Sequence, residues 1–445
     1  MRTITKHFSS FDVEEIKEIV RNNEQKLETE NDLDSFIELV GNSRFVLLGE
    51  ASHGTHEYYL WRMKITQRLI LEKGFTIIAV EGDWPDCYRI NRYIKNFADA
   101  KKNALDVLST FNRWPTWMWA NWETAAFMEW SKKHNHTLAK NRKVGFYGLD
   151  VYSFRESLVD IMNYLRKYDK NTYEIADRAL MCFDALEKEE GQSYSKTASY
   201  FTNLCEKEVN DLLHEIRENL YKYNSDPENV LSTEQNAYIT VNAELYYRNM
   251  YKGGPDAWNI RDQHMMQTIE RLLGFHGERS KIIVWAHNTH IGDARATDMA
   301  DENMINVGQL LHEKYDNEGV ISLGFGSYEG AVLAGTHWGS KVYNVNMPMA
   351  KKNSWEFLLN ESIRNEKVYL PLHKLKEKKV LNQAFGHRAV GVVYNPENEK
   401  YGNYVPSIMP MRYDAFLFFK NTKELHTIDV KTDIHQIPET YPFGF

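Results

Sequence analysis

Four short apolar runs, at 44–48, 75–80, 143–148 and 281–285, constrain the fold of this chain more than any other feature. Each has the length of a buried strand and lacks a helical period. Each also stops at residues able to carry a proton. Beyond the four ends lie Glu50 and His53, Glu81 and Asp83, Asp150, and His287 and His290. A helical stripe at 57–73 (Tyr58, Leu60, Trp61, Ile65, Leu69, Ile70) joins the first two runs, with Gly74 placed as its C-cap. Strand, helix and strand in that order make a βαβ unit with parallel strands and a right-handed crossover. Ligand chemistry in open α/β sheets sits beyond the carboxyl ends of the strands. If the four runs are parallel neighbours, their acids and imidazoles meet on one rim.

The pattern changes at 151. Segments of period 3.6 follow one another at 153–168, 172–190, 197–222, 230–251 and 257–275, broken most sharply at Gly253-Gly254-Pro255. Strand-like runs return at 319–325, 341–345, 388–394 and 415–419. Residues 11–40 read as helix on the outside of the first strand, and Trp84-Pro85 opens another helix. The expectation is an α/β protein with a mostly parallel central sheet flanked by helices and an inserted all-helical lobe. Residues 1–150 and 278–445 supply the two pieces of the core, and 151–277 the lobe.

A chain of 445 residues can bury a large core. Its formal charge of −8 and its lack of a basic stripe argue against a general nucleic-acid partner. The first residues hold no apolar leader, and no window nears twenty uninterrupted apolar residues, so no membrane partner is expected. Cys87, Cys182 and Cys205 are odd in number and show no metal-binding repeat. Free thiols in a cytoplasmic protein are the simplest reading.

His53 is the leading candidate for chemistry. It stands between Gly49-Glu50-Ala51-Ser52 and Gly54, where the backbone can turn and present the ring. An imidazole suits proton transfer near neutral pH, and Glu50 or Glu81 could fix its tautomer. Ser52 does not fit the Gly-x-Ser-x-Gly elbow, which leaves it a loop hydrogen-bonder and makes activated water the nucleophile. The pairs His53/His56 and His287/His290, with Glu57 or Glu81, raise a zinc site as an alternative. Both pairs fall in expected loops, however, and neither forms the His-Glu-x-x-His motif. Arg62, near the start of helix 57–73, could balance the carboxylates or polarise a carbonyl oxygen, and Arg261 could reach in from the last lobe helix. Asp83 and Asp150 also suit helix N-caps, a role that Glu81 fits poorly. The run 113–122 holds four of the 11 tryptophans, with Trp119 and Trp122 the candidates for a pocket wall. The glycines at 324–330 are spaced GxGxxxG, one residue too long for a dinucleotide loop.

Taken in order, Gly49-Glu50-Ala51-Ser52-His53-Gly54, Arg62, Glu81-Gly82-Asp83, Tyr147-Gly148-Leu149-Asp150, Trp285-Ala286-His287-Asn288-Thr289-His290 and Arg388-Ala389-Val390-Gly391 resemble the erythromycin esterase family over roughly residues 35–420. The resemblance implies hydrolysis of a small-molecule ester or lactone without an assured cofactor. His53 is then the general base for water, with Glu50, Glu81, Arg62, His287 and His290 lining the catalytic site. Ser52, His56, Glu57, Trp119, Trp122, Asp150, Arg261 and Asn288 are candidates for substrate contact. A metal-dependent hydrolase on the same rim and a non-hydrolytic protein of polysaccharide biosynthesis are the rival readings.

Overall fold

Strand alternation sends successive side chains to opposite faces, and here both faces find a core. The computed structural model describes residues 10–189, 205–223, 226–250 and 252–430. Among these, eleven strands are numbered in chain order: β1 Gln25–Lys26, β2 Phe45–Leu48, β3 Ile77–Asp83, β4 Gly145–Asp150, β5 Ile282–Trp285, β6 Val320–Gly335, β7 Val342–Met347, β8 Lys367–Leu370, β9 Phe385–Arg388, β10 Tyr404–Ser407 and β11 Ala415–Thr422. Val46, Leu48, Ile78, Val80, Ile283 and Trp285 pack into one core with helix His56–Lys73. Phe45, Leu47, Ile77, Ala79, Ile282 and Val284 pack into another, with helix Asp256–His276 and helix Trp355–Ser362. Two covered faces explain why these strands read as continuous apolar runs rather than alternating ones.

Nine strands form one sheet in the order β1-β8-β11-β6-β2-β5-β3-β4, with β7 attached to β6. The six from β11 to β4 are mutually parallel, and β1, β7 and β8 pair antiparallel at the periphery. The four expected strands are therefore contiguous. β2 and β3 are not themselves neighbours, because β5 returns from the lobe and threads between them. Register then sets the site: Leu48 pairs Trp285, Trp285 pairs Val80, and Val80 pairs Gly148. The strand ends lie flush, so Glu50, His287, Glu81 and Asp150 all emerge within two residues of one row.

The lobe helices Phe154–Tyr168, Lys170–Glu189, Glu206–Asn219 and Pro227–Asn249 enclose a core of their own around Leu158, Leu165, Leu212 and Tyr246. Helix Asp256–His276 instead faces the sheet through Met265, Ile269 and Leu272. Residues 197–204 of the expected helix at 197–222 lie outside the described residues. Cys182 and Cys205 form a disulfide between two lobe helices, which corrects the expectation of free thiols and removes its support for a cytoplasmic setting. The run 388–394 is not a continuous strand. β9 ends at Arg388, and the next residues stitch loops together, with Val390 N donating to Ala51 O and Tyr394 N to Gly335 O. No described helix is long and apolar enough to cross a membrane.

Candidate active site

The loop after β2 carries the first half of the centre. Gly49 and Gly54 are there for close approach: a Cβ at 49 would collide with Asn288 Oδ1, and one at 54 would collide with Leu333 O. Between them the chain turns and buries His53 completely. His53 Nδ1 meets Glu50 Oε1 at 2.9 Å, and Arg62 Nη2 donates to Glu50 Oε2 at 2.8 Å. Arg62 is itself fixed between aromatic faces, 4.4 Å from the Tyr59 ring and 5.2 Å from the Trp285 ring. A carboxylate can only accept from an imidazole, so His53 carries its hydrogen on Nδ1. Its Nε2 is left as a bare lone pair, with no hydrogen-bond partner among the described residues.

The turn after β5 carries the second half. His287 caps the short helix Asn288–Ile291, and its Nδ1 accepts from Thr289 N. Its ring hydrogen is therefore on Nε2, the opposite tautomer from His53. Burial first, and then the neighbouring His53, hold His287 well below the usual imidazole pKa, so it stays neutral. The two ring centroids are 5.1 Å apart. An imidazole acceptor and an imidazole donor thus face each other over one sheet edge.

A charged layer lies beneath them. Arg261 grips Asp150 with Nε at 2.9 Å and Nη2 at 2.8 Å, and Nη2 also donates to Glu81 Oε1 at 2.7 Å. Glu81 Oε2 accepts His287 N at 2.7 Å. Burial opposes the Glu81 charge, but His290, Arg261, His53 and the His287 N–H outweigh it and hold the group well below the usual carboxylate range. His290 is fully enclosed: Trp258 stacks on its ring at 4.6 Å, Asp262 holds Nδ1 at 3.0 Å, and Arg261 Nη1 lies 3.0 Å from Nε2. Burial lowers this ring's proton affinity and Asp262 more than restores it. Both ring nitrogens are thus engaged, Nδ1 by Asp262 and Nε2 by Arg261.

Several candidates are placed differently from expectation. Arg62 balances the Glu50 carboxylate, one of the two roles expected for it, rather than facing a carbonyl site. His56 opens helix His56–Lys73 instead of lying in a loop, and its ring turns away from His53 to Glu123. His287 and His290 likewise belong to a helical turn. Ser52 Oγ bonds Thr55 Oγ1, Glu57 accepts Lys423 N at 2.8 Å, and Asn288 is consumed by both backbone groups of Phe325. Asp150 is held by Arg261, which also serves Glu81 and His290. Asp83 occupies an N-cap position without capping, because Arg113 takes its carboxylate at 2.7 Å. Trp119 is a buried support that donates to Glu81 O at 3.1 Å, whereas Trp122 is 54% exposed at the start of helix Trp122–Asn135. Asp262, Trp258 and Thr289 are the partners that sequence reading missed. Asp262 sits next to Arg261, the one signal that could have found it.

A cavity of about 490 Å³ opens beside this centre, lined by residues including Pro255, Trp258, Thr289, Met299 and Met304. It touches the outer side of the His287–His290 turn through Thr289 and Trp258. Two larger depressions, one beside Tyr238 and one beside Arg412, touch none of the strand-end histidines.

The profile of the family described as erythromycin esterase matches residues 70–422. That stretch includes Glu81, Asp150, Arg261, His287 and His290, and begins after Glu50, His53 and Arg62. Erythromycin esterase type II of Escherichia coli is 24% identical over 344 residues, 72% of this chain and 78% of that protein. The crystal structure of a succinoglycan biosynthesis protein matches with a TM-score of 0.72 at 19% identity, over 95% of this chain and 100% of that one. A mutant erythromycin esterase in its open conformation matches with a TM-score of 0.66 at 15% identity, over 92% and 99% of the two chains. Structural likeness at these identities speaks for the fold, and the profile match, which spans most of the sequence, speaks for descent. The chain belongs to the erythromycin esterase family.

Proposed function

We propose that this chain hydrolyses an ester or lactone with water activated by His53. The observation that carries the reading is the pair of buried imidazoles, ring centroids 5.1 Å apart, with Nδ1 of one against a carboxylate and Nδ1 of the other accepting a backbone N–H. His53 Nε2 accepts the proton from water while Glu50, braced by Arg62, holds Nδ1 and stabilises the imidazolium that forms. The hydroxide adds to the carbonyl carbon, and His287 Nε2–H donates to the oxyanion. On collapse of the tetrahedral intermediate the proton held by His53 passes to the leaving alkoxide, which restores the neutral base. His290, with both nitrogens engaged, positions Arg261 and Glu81 rather than exchanging protons with substrate. Glu81 orients His287 through its backbone N–H.

His53 and His287 are both fully buried, so substrate must reach them by displacement of covering segments. The cavity beside Trp258 and Thr289 borders the turn that carries His287 and His290 and is our candidate for the way in. Its wall mixes Trp258, Met299 and Met304 with Asp298 and Glu302, which suits a mostly apolar ligand with a few polar groups. The family and the Escherichia coli relative's name make a macrolide lactone the first substrate to try. A positioned base gives about 10²–10⁴-fold. On a panel of aryl esters and macrolides, His53→Ala is expected to lose at least about 10²-fold in kcat with an unchanged circular dichroism spectrum. Turnover close to wild type in that variant would overturn the assignment.

A further inference from the structure

His56, Glu123 and His426 lie outside the centre just described, yet they converge as tightly as any group in it. His56 Nδ1 is 2.5 Å and His426 Nδ1 2.6 Å from the same oxygen, Glu123 Oε1. One ligand atom from each residue lies within 4.8 Å of the other two. The rings stand nearly perpendicular, with centroids 5.0 Å apart. Glu123 is only 5% exposed, and its second oxygen, Oε2, has no hydrogen-bond partner among the described residues.

We propose that these three side chains bind a divalent first-row transition-metal ion, zinc foremost, at a site separate from His53. Two imidazole nitrogens and one carboxylate are a common zinc donor set. One carboxylate oxygen can accept from two imidazole N–H groups, which leaves the other to find a partner elsewhere. Here two rings crowd one oxygen and leave the buried one bare, an arrangement a shared cation resolves. Around a tetrahedral ion, ligand atoms stand about 3.3 Å apart, so each imidazole nitrogen needs to draw back from Oε1 by less than an ångström. His426 is exposed and His56 half-buried, which leaves room for that swing and for water at the remaining positions. The frame is held without an ion: Trp122 N donates to His426 O, His56 N to Lys423 O, and Leu425 N to Gly54 O, each at 2.9 Å. The ion would therefore clasp three elements: the start of helix His56–Lys73, the start of helix Trp122–Asn135, and the segment after β11.

The test uses the full chain, stripped with chelator and titrated with Zn(II) by calorimetry, with Co(II) absorbance as a second readout. One equivalent is expected per chain, together with the d–d bands of a four- or five-coordinate cobalt centre. His426→Ala and Glu123→Gln should each weaken binding at least tenfold, while His53→Ala leaves it unchanged. His426 is exposed, so its replacement is not expected to disturb folding, and circular dichroism checks this. Absence of zinc binding at micromolar concentration, unaltered binding in His426→Ala, or loss of binding in His53→Ala would each overturn the proposal.

Discussion

His53 and His287 are the same residue type, buried alike, and are given opposite duties by one hydrogen bond each. Glu50 can only accept, which forces the hydrogen of His53 onto Nδ1. The Thr289 N–H can only donate, which forces that of His287 onto Nε2. Glu50→Gln tests this directly, because the amide can donate to Nδ1 and stabilise the wrong tautomer. The expected outcome in ester assays is a kcat lower by about 10²-fold or more with little change in KM. An unchanged kcat would remove Glu50 from the mechanism. Removing Arg62 is expected to act on stability as well, since it leaves the buried Glu50 carboxylate without its cation. Arg62→Met should cost about 3–5 kcal/mol in urea unfolding.

At the level of elements, the loop after β2 works because Gly49 admits the Asn288 side chain and Gly54 the Leu333 backbone. Gly54→Ala would drive a Cβ into the Leu333 carbonyl, and a loss of about 1–3 kcal/mol together with reduced kcat is expected. Gly274 provides the contrast. It lies inside helix Asp256–His276 with nothing within 4 Å of where a Cβ would stand, so Gly274→Ala should raise stability by up to about 1 kcal/mol. Thermal denaturation of the two variants checks both signs. The same elements explain what could be read from the sequence. β2 to β5 and the residues at their ends were legible because a buried parallel strand is a local pattern and the chemistry follows it directly. The insertion of β5 between β2 and β3 was not, since strand order depends on where the lobe returns the chain. Nor was the pairing of His56 with Glu123 and His426, because the segment after β11 bears no periodic signal. Arg261 was ambiguous for a related reason: a lone Arg on a helix reads the same whether it faces solvent or, as here, two carboxylates and an imidazole.

For the whole molecule, the buried neutral imidazoles and the buried carboxyls Asp83 and Asp86 make opposed contributions to the response to acid. Burial holds His287 and His264 well below the ordinary imidazole pKa, and pushes His276 down to about 4. The folded state keeps these rings neutral, while the unfolded chain protonates them below about pH 6.5. These rings should therefore cost stability as pH falls from about 6.5, by up to about 1.4 kcal/mol per unit for each, continuing for His276 to about pH 4, while Asp83 and Asp86, raised by burial to about 8 and about 6, act in the opposite direction. Glu81, depressed in the folded state, adds its own loss only below the ordinary carboxylate range. Urea midpoints at pH 7.5 and 5 in wild type and in His276→Gln, which keeps a partner for Tyr147, isolate one ring's share, and on acidification the variant should fare better relative to wild type. One more consequence follows from the segment after β11, which bonds to Gly54 O and, through Lys423 N, to Glu57 across a separation of 366 residues. On a translating ribosome, the turn that holds the base emerges early and waits for its far partner. A nascent chain cut short before 423 should thus be able to build most of its sheet and still lack a finished His53 turn, so that synthesis itself withholds activity until that stretch has been made.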